Sequence, residues 1–176
     1  MSVSEAAKEA IRDIPDFPKP GIVFKDITPI MMDAQLSNRI LDHLVSQYQD
    51  KGIEAVAGIE SRGFLMGYPL AMRLGVPFIL IRKKGKLPYK TIQYDYDLEY
   101  GSACIEMHTD AVQPNQKVLI HDDLLATGGS AEAAGKLIEM AGGIVAGFDF
   151  LVELEFLKGA EKLKPFSNII TNLVAY

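Results

Sequence analysis

Residues 118–130 read Val-Leu-Ile-His-Asp-Asp-Leu-Leu-Ala-Thr-Gly-Gly-Ser. An apolar run ends in two adjacent carboxylates, Asp122 and Asp123, and a short loop, Ala126-Thr127-Gly128-Gly129-Ser130, follows at once. An alanine-rich segment of strong helix formers then runs to Ala141. Strand, acidic pair, glycine loop and helix follow one another as in an α/β unit. Gly128 and Gly129 let main-chain N–H groups approach a ligand closely, because no Cβ intervenes. The helix start behind them offers unpaired N–H groups and the positive end of its dipole, which suit a phosphate. The acids stand at the carboxyl end of the strand, where open α/β sheets bind ligands. Carboxylates beside a phosphate cup fit a sugar phosphate, with hydroxyls to the acids and phosphate to the loop. The His121 ring is expected to face the packed side of the sheet with its hydrogen bonds satisfied.

Outward from this unit, Lys117 to His121 is the strand and Ser130 to Ala141 its helix. Gly142-Gly143 stops the helix, Ile144 to Val152 returns as a strand, and Ile169 to Val174 is a last strand. Upstream, Ala55 to Ile59 is a short apolar strand and Gly63 to Leu74 an apolar helix ended by Gly75. Pro69 either kinks that helix or sits in its first turn. Pro77 to Ile81 is the next strand. Asp33 can cap a helix over 34–50, with Leu36, Ile40, Leu41, Leu44, Val45 and Tyr48 on one stripe. Ala6 to Ile14 reads as a short helix, and Pro15, Pro18, Pro20 and Gly21 force a loop before Ile22-Val23-Phe24. Residues 83–100 are polar, basic and rich in tyrosine, a long loop or a mobile hairpin, with Cys104 to Met107 as a hairpin strand. Strands alternating with helices predict an α/β fold: a parallel twisted sheet with helices on both faces.

Composition bounds the function. A chain of 176 residues fits one domain with a sizeable core, and 48% hydrophobic with 23% charged residues is ordinary for a globular protein. No apolar run approaches the roughly 20 residues that span a bilayer, and the N-terminus has no secretory apolar core. Cys104 is the single cysteine, so a reducing cytoplasm is the expected compartment. The net charge of −5 argues against general nucleic-acid binding and requires a local basic patch for any anionic substrate. No Gly-x-Gly-x-x-Gly opens a helix, and Gly129 to Leu137 does not match a P-loop.

Three further stretches carry chemistry. The strand 55–59 runs into Glu60-Ser61-Arg62-Gly63-Phe64, whose guanidinium can clamp a phosphate through two N–H groups or make a surface ion pair. Arg82, Lys83, Lys84, Lys86 and Lys90 crowd the end of another strand, as a solvated face or an anion site. Pro20 to Pro29 is a loop with an aromatic anchor, Phe24.

The run 118–130 resembles the 5-phosphoribosyl-1-pyrophosphate (PRPP) signature of the type I phosphoribosyltransferases, with His121 in place of the usual apolar residue and Ser130 where threonine is common. Glu60 to Phe64, Ile81 to Pro88, Leu98 to Gly101 and Gly21 to Ile27 are similar to segments of the adenine phosphoribosyltransferases. The resemblance runs from about residue 14 to 162. It implies a Mg²⁺-dependent joining of adenine to PRPP, giving AMP and pyrophosphate. The implied PRPP and AMP contacts are Arg62, Lys83, Asp122, Asp123, Ala126, Thr127, Gly128, Gly129 and Ser130. Val23, Phe24, Lys25 and Leu154 are the implied adenine contacts, with Phe24 and Leu154 on the two faces of the base. Glu99 and Tyr100 are the implied catalytic residues, and Mg²⁺ is held mainly by substrate. One domain over 1–176 is expected, with a base-binding hood over about 1–32 and a flexible loop and hairpin over about 83–107. The expected partners are small molecules and a second copy of the chain in a homodimer, with no nucleic acid and no membrane. The rival readings are an enzyme for a 6-oxo purine and a PRPP- or purine-sensing regulator; the Val-Phe-Lys stretch favours adenine.

Overall fold

A computed structural model describes residues 1–98 and 101–176. Five α-helices occur among them: α1 (Val3–Ala10), α2 (Thr28–Met32), α3 (Ala34–Tyr48), α4 (Gly63–Leu74) and α5 (Gly129–Met140). The strands are β1 (Arg12–Pro15), β2 (Val23–Asp26), β3 (Ala55–Ile59), β4 (Phe78–Lys83), β5 (Thr91–Leu98), β6 (Gly101–His108), β7 (Lys117–Leu125), β8 (Ile144–Glu153) and β9 (Ile170–Ala175). Seven strands form one sheet in the order β5-β6-β4-β3-β7-β8-β9, and β1-β2 form a separate antiparallel pair. The pairs from β4 to β9 are parallel, while β6 runs antiparallel to both β4 and β5. The sheet is therefore the expected parallel one, extended at one edge by a hairpin.

Alternation along the strands divides the core in two. Ala55, Ala57, Val118 and Ile120 pack with Ala131, Ala134, Leu137 and Ile138 of α5. Val56 and Leu119 pack with Ile40, Leu44 and Tyr48 of α3 and Met66 and Leu70 of α4. Side chains that alternate on both buried faces explain why these strands read as continuous apolar runs. Asp33 caps α3 by accepting from Gln35 N and Leu36 N, and Gly75 ends α4 in the left-handed region at φ 71°. Pro69 stands inside α4.

Two expectations are corrected, and one pair of alternatives is decided. The first helix is Val3–Ala10, not 6–14: Ser2 and Glu5 form a capping box at its start, and residues 12–15 are strand. Pro15 disfavours helix at Ile14, which supports that boundary. Next, β7 does not stop at His121 but runs on through both acids to Leu125. Of the two readings of the stretch from 83, long loop or hairpin, the hairpin is the one seen. Thr91–Leu98 pairs with Gly101–His108, and Ile92, Tyr94 and Tyr96 pack on the α5 side of the core.

Candidate active site

The chain leaves β3 through α4 to β4 on one side, and β7 lies on the other. This is a switch point, where an open α/β sheet leaves a crevice at its carboxyl edge. Pairing of β7 with β3 ends at Gly58↔His121, whereas pairing with β8 continues to Leu125↔Glu153. Beyond His121 one edge of β7 is thus bare, and Asp122 and Asp123 stand beside the turn that leaves β3. A cavity of about 370 Å³ opens there, lined by Glu60, Ser61, Arg62, Lys83, Asp122, Asp123 and Ser130. A smaller cup of about 100 Å³ adjoins it, lined by Asp122 and by Ala126, Thr127, Gly128, Gly129 and Ser130. A cleft of about 350 Å³ between α1 and α3, lined by Glu9, Asp33 and Arg39, gathers none of the expected residues.

Glycines shape the cup. Gly128 is the N-cap of α5 at φ 81°, and a Cβ on it would lie 2.6 Å from Gly159 O. No other residue meets both conditions without strain. Gly63, the first residue of α4, lies so close to β7 that a Cβ would fall 2.8 Å from His121 O. Ser130 Oγ and Tyr96 OH are 3.1 Å apart, which docks the β5-β6 hairpin on the loop.

The two acids have different surroundings. Asp123 is buried and ion-paired with Arg62 Nε. Asp122 Oδ1 accepts from Asp123 N at 2.9 Å. Burial, and after it the neighbouring Asp123 charge, pushes the Asp122 carboxyl well above the ordinary carboxylate range. A cation or a hydroxyl donor in the cavity would relieve this. The donors are hard carboxylate oxygens, which fit Mg²⁺, but Asp123 is already paired and no cluster of three metal-ligating side chains occurs among the described residues. These residues suit a cation that takes most of its ligands from substrate and water.

The basic run divides by partner. Arg82 is not a free anion clamp: Nε and Nη2 each reach Glu60 at 3.2 Å, and Nη1 donates to Lys86 O. Glu60 also accepts from Lys83 N at 2.9 Å. Burial alone would raise Glu60, but Arg82 and the Lys83 N–H outweigh it and hold the carboxyl below its usual value. Lys83 is exposed and lines the cavity. Sequence reading missed the buried Glu106, which accepts from Lys86 N and Leu87 N at 2.9 Å each and so fixes the basic turn.

Around the expected base contacts, Phe24 packs edge-on to Phe17 at 5.2 Å and lies 5.4 Å from the Arg62 guanidinium. Val23 is exposed. Lys25 Nζ donates to Asp13 at 2.6 Å and sits over the Tyr176 ring. Leu154 is half-buried and follows β8, its N–H donating to Leu125 O. Arg62 thus links Phe24 to Asp123. Glu99 and Tyr100 lie outside the described residues.

His121 departs from expectation in part. It is fully buried, and Nδ1 is 2.6 Å from Asp149 Oδ2, but Nε2 has no hydrogen-bond partner among the described residues. Asp149 also accepts from Tyr48 OH at 2.9 Å and Thr171 Oγ1 at 3.1 Å. His121, Asp149 and Thr171 are register neighbours across β7, β8 and β9. The ring finds its partner in a polar row that crosses the sheet, and its Cδ2 would lie 3.4 Å from a Cβ on Gly67 of α4.

The family model for the phosphoribosyl transferase domain matches residues 25–164. The adenine phosphoribosyltransferase of Cytophaga hutchinsonii is 53% identical over 174 residues, covering 99% of this chain and 96% of that protein. The crystal structure of adenine phosphoribosyltransferase from Thermoanaerobacter pseudethanolicus is similar with a TM-score of 0.94 and 49% identity, covering 98% of this chain and 99% of that one. That of Saccharomyces cerevisiae, complexed with an imino-altritol bisphosphate and adenine, has a TM-score of 0.90 at 39% identity and covers 97% and 98%.

Proposed function

The chain belongs to the adenine phosphoribosyltransferase family, and from that premise we infer that it joins adenine to PRPP, giving AMP and pyrophosphate in purine salvage. The observation that carries the assignment of roles is the pair of adjoining cavities at the β3/β7 switch point, one walled by cations and acids, the other by main chain.

The cup of Ala126 to Ser130 takes the 5-phosphate on α5's N–H groups, and Thr127 and Ser130 add hydroxyls. Asp122 and Asp123 position the ribose hydroxyls. Arg62 and Lys83 face the leaving pyrophosphate and offset its growing charge. Mg²⁺ would be held mainly by substrate, with no firm protein ligand, and would supply further neutralisation of phosphate charge. Phe24 and Leu154 cover the two faces of adenine, while the main chain of Val23 and Lys25, which share one direction along β2, reads its amino edge. The purine nitrogen bonds to the anomeric carbon as the carbon–oxygen bond to pyrophosphate breaks. Positive charge builds on the ribose as in glycoside hydrolysis. The purine proton passes to Glu99, with Tyr100 orienting the substrates. Holding both substrates at reacting distance supplies much of the rate.

Product formation from PRPP and Mg²⁺ with adenine, hypoxanthine or guanine tests the base assignment. Adenine should be preferred by about 10⁴-fold, since a 6-oxo purine leaves buried groups unpaired. Comparable turnover of either competitor favours the 6-oxo reading, and no turnover with any base favours a regulator. Glu99→Gln should lower kcat by about 10²–10⁴-fold with PRPP binding intact. A wild-type chemical rate in single turnover would assign the proton transfer elsewhere.

We assign a homodimer and a cytoplasmic setting to the protein. An apolar groove of about 480 Å³ between Phe64, Tyr68, Phe78 and Leu80 supports the first, on the strand that ends in Lys83. Light scattering checks it, and a fully active monomer would refute a shared site. The lone Cys104 supports the second. Among the described residues, no helix is long and apolar enough to cross a membrane.

A further inference from the structure

Tyr176 holds the chain neighbours of both walls of the slot assigned to adenine. Its main chain brackets Leu154: Tyr176 N–H donates to Glu153 O at 2.9 Å, and Glu155 N–H donates to Tyr176 O at 3.0 Å. Its ring lies under Lys25, the residue after Phe24, with Nζ 3.8 Å from the ring centroid. That ammonium is held in place. Asp13, its register neighbour on β1, binds it at 2.6 Å, and the side chain is only 11% exposed. Lys8 of α1 reaches the same ring at 4.9 Å and donates to Ala175 O at 3.3 Å.

The β1-β2 pair shares no strand pairing with the main sheet. No ladder of hydrogen bonds therefore sets the height of Phe24 over Leu154, and side-chain contacts must do so. A cation against an aromatic face gains strength as the pair is shielded from water, and here Lys25 is largely covered and Tyr176 half-buried.

We propose that Tyr176 is a positioning residue for the purine: its ring fixes Lys25, and with it the Phe24 wall, at a set spacing from the Leu154 wall that its main chain grips. The inference rests on the assignment of Phe24 and Leu154 to the base. Tyr176 does not line the Asp122, Asp123 and Arg62 cavity, which Phe24 meets only through Arg62, so loss of Tyr176 should act on adenine far more than on PRPP.

Steady-state kinetics on the full-length chain test this, with thermal melts of each variant and assays run below the lowest midpoint. Tyr176→Ala and Tyr176→Leu should raise KM for adenine by about 3- to 30-fold, with kcat and KM for PRPP within about twofold of wild type. Tyr176→Phe keeps the ring and the main chain and should behave as wild type. Lys25→Met should raise KM for adenine as Tyr176→Ala does, and the double variant should fall short of the sum of the two, since both remove the Lys25–Tyr176 contact. An unchanged KM for adenine in Tyr176→Ala, an equal rise in KM for PRPP, or a Tyr176→Phe variant as impaired as Tyr176→Ala would each overturn the proposal. Phe24→Ala separates the two levels. If it leaves KM for adenine unchanged, the slot itself is misassigned; if it raises KM while Tyr176→Ala does not, only the clamp fails.

Discussion

Two strand-end loops face each other across the gap between β3 and β7, and they keep their shapes by opposite means. The loop after β3, Glu60 to Arg62, is held by charge: Glu60 grips Arg82 and the Lys83 N–H, and Arg62 grips Asp123. The loop after β7, Ala126 to Ser130, is held by backbone: Gly128 takes a left-handed turn pressed against Gly159, and a Cβ on Gly159 would fall 2.2 Å from Ala126 O. The first loop can offer side-chain cations to a ligand whose charge changes during reaction. The second offers fixed N–H groups and the neutral hydroxyls of Thr127 and Ser130, which suit a phosphate that stays as it is. A charged cradle should respond to changes of charge and tolerate changes of bulk, and a backbone cradle the reverse.

The sharpest way to break that contrast is Gly128→Val. The left-handed turn costs about 1–2 kcal/mol with a side chain present, and the clash with Gly159 adds about 1–3 kcal/mol. The melting temperature should fall by roughly 5–15 °C, and calorimetry should detect no PRPP binding. A variant that binds PRPP normally would show that backbone shape is not what the second loop supplies.

Arg62→Ala comes next. It removes a charge-assisted contact to pyrophosphate and leaves the buried Asp123 unpaired, so PRPP affinity should drop by roughly 1.5–3 kcal/mol. Arg62→Lys should recover only part, because an ammonium lacks the planar fork. Full recovery by lysine would mean that charge alone matters in the first loop.

Asp122→Asn sharpens the contrast through pH. The native carboxyl holds its proton more tightly than the unfolded chain does, because burial and then Asp123 raise it. Its contribution to stability is full below the unfolded value of about 3.9 and declines as pH rises from there through the native value. The asparagine variant should lose this slope. Urea melts from about pH 4 to pH 7 should show it gaining on wild type as pH rises, while PRPP affinity falls about tenfold. Parallel stability curves would show that Asp122 is not poised in this way.

The smallest effect is expected from Ser130→Ala, which loses one hydroxyl to the hairpin and to phosphate, about 0.5–1.5 kcal/mol. Amide exchange in Tyr94 to Asp97 should quicken. Unchanged exchange would mean that the hairpin docks by apolar contact alone.

Much of this molecule was legible in residue order. Ala55–Ile59 and Gly63–Leu74 stand at the expected bounds, because each is a local pattern closed by a local stop signal. The loop 126–130 was readable for the same reason: glycine spacing and the helix start behind it are contiguous. What escaped were contacts made by residues far apart in the chain. Glu106 reads as an ordinary strand acid until the turn at 86–87 folds over it. Arg82 and Lys83 look alike in a basic run, yet Glu60 engages the side chain of one and only the main chain of the other. The extension of β7 past His121 was missed because two acids resemble a strand end, whereas β8 supplies partners as far as Glu153.

Residue order by itself determined the α/β class, the glycine loop and the acid pair, because apolar periodicity, helix caps and glycine turns act over a few residues. Only the tertiary structure decided which of two adjacent aspartates pairs with Arg62, which of two adjacent basic residues faces the cavity, and where the His121 ring finds Asp149. Each of those outcomes depends on strand register and on which strand ends first. Register is settled by packing both faces of the sheet at once, and no single stretch of sequence contains that information.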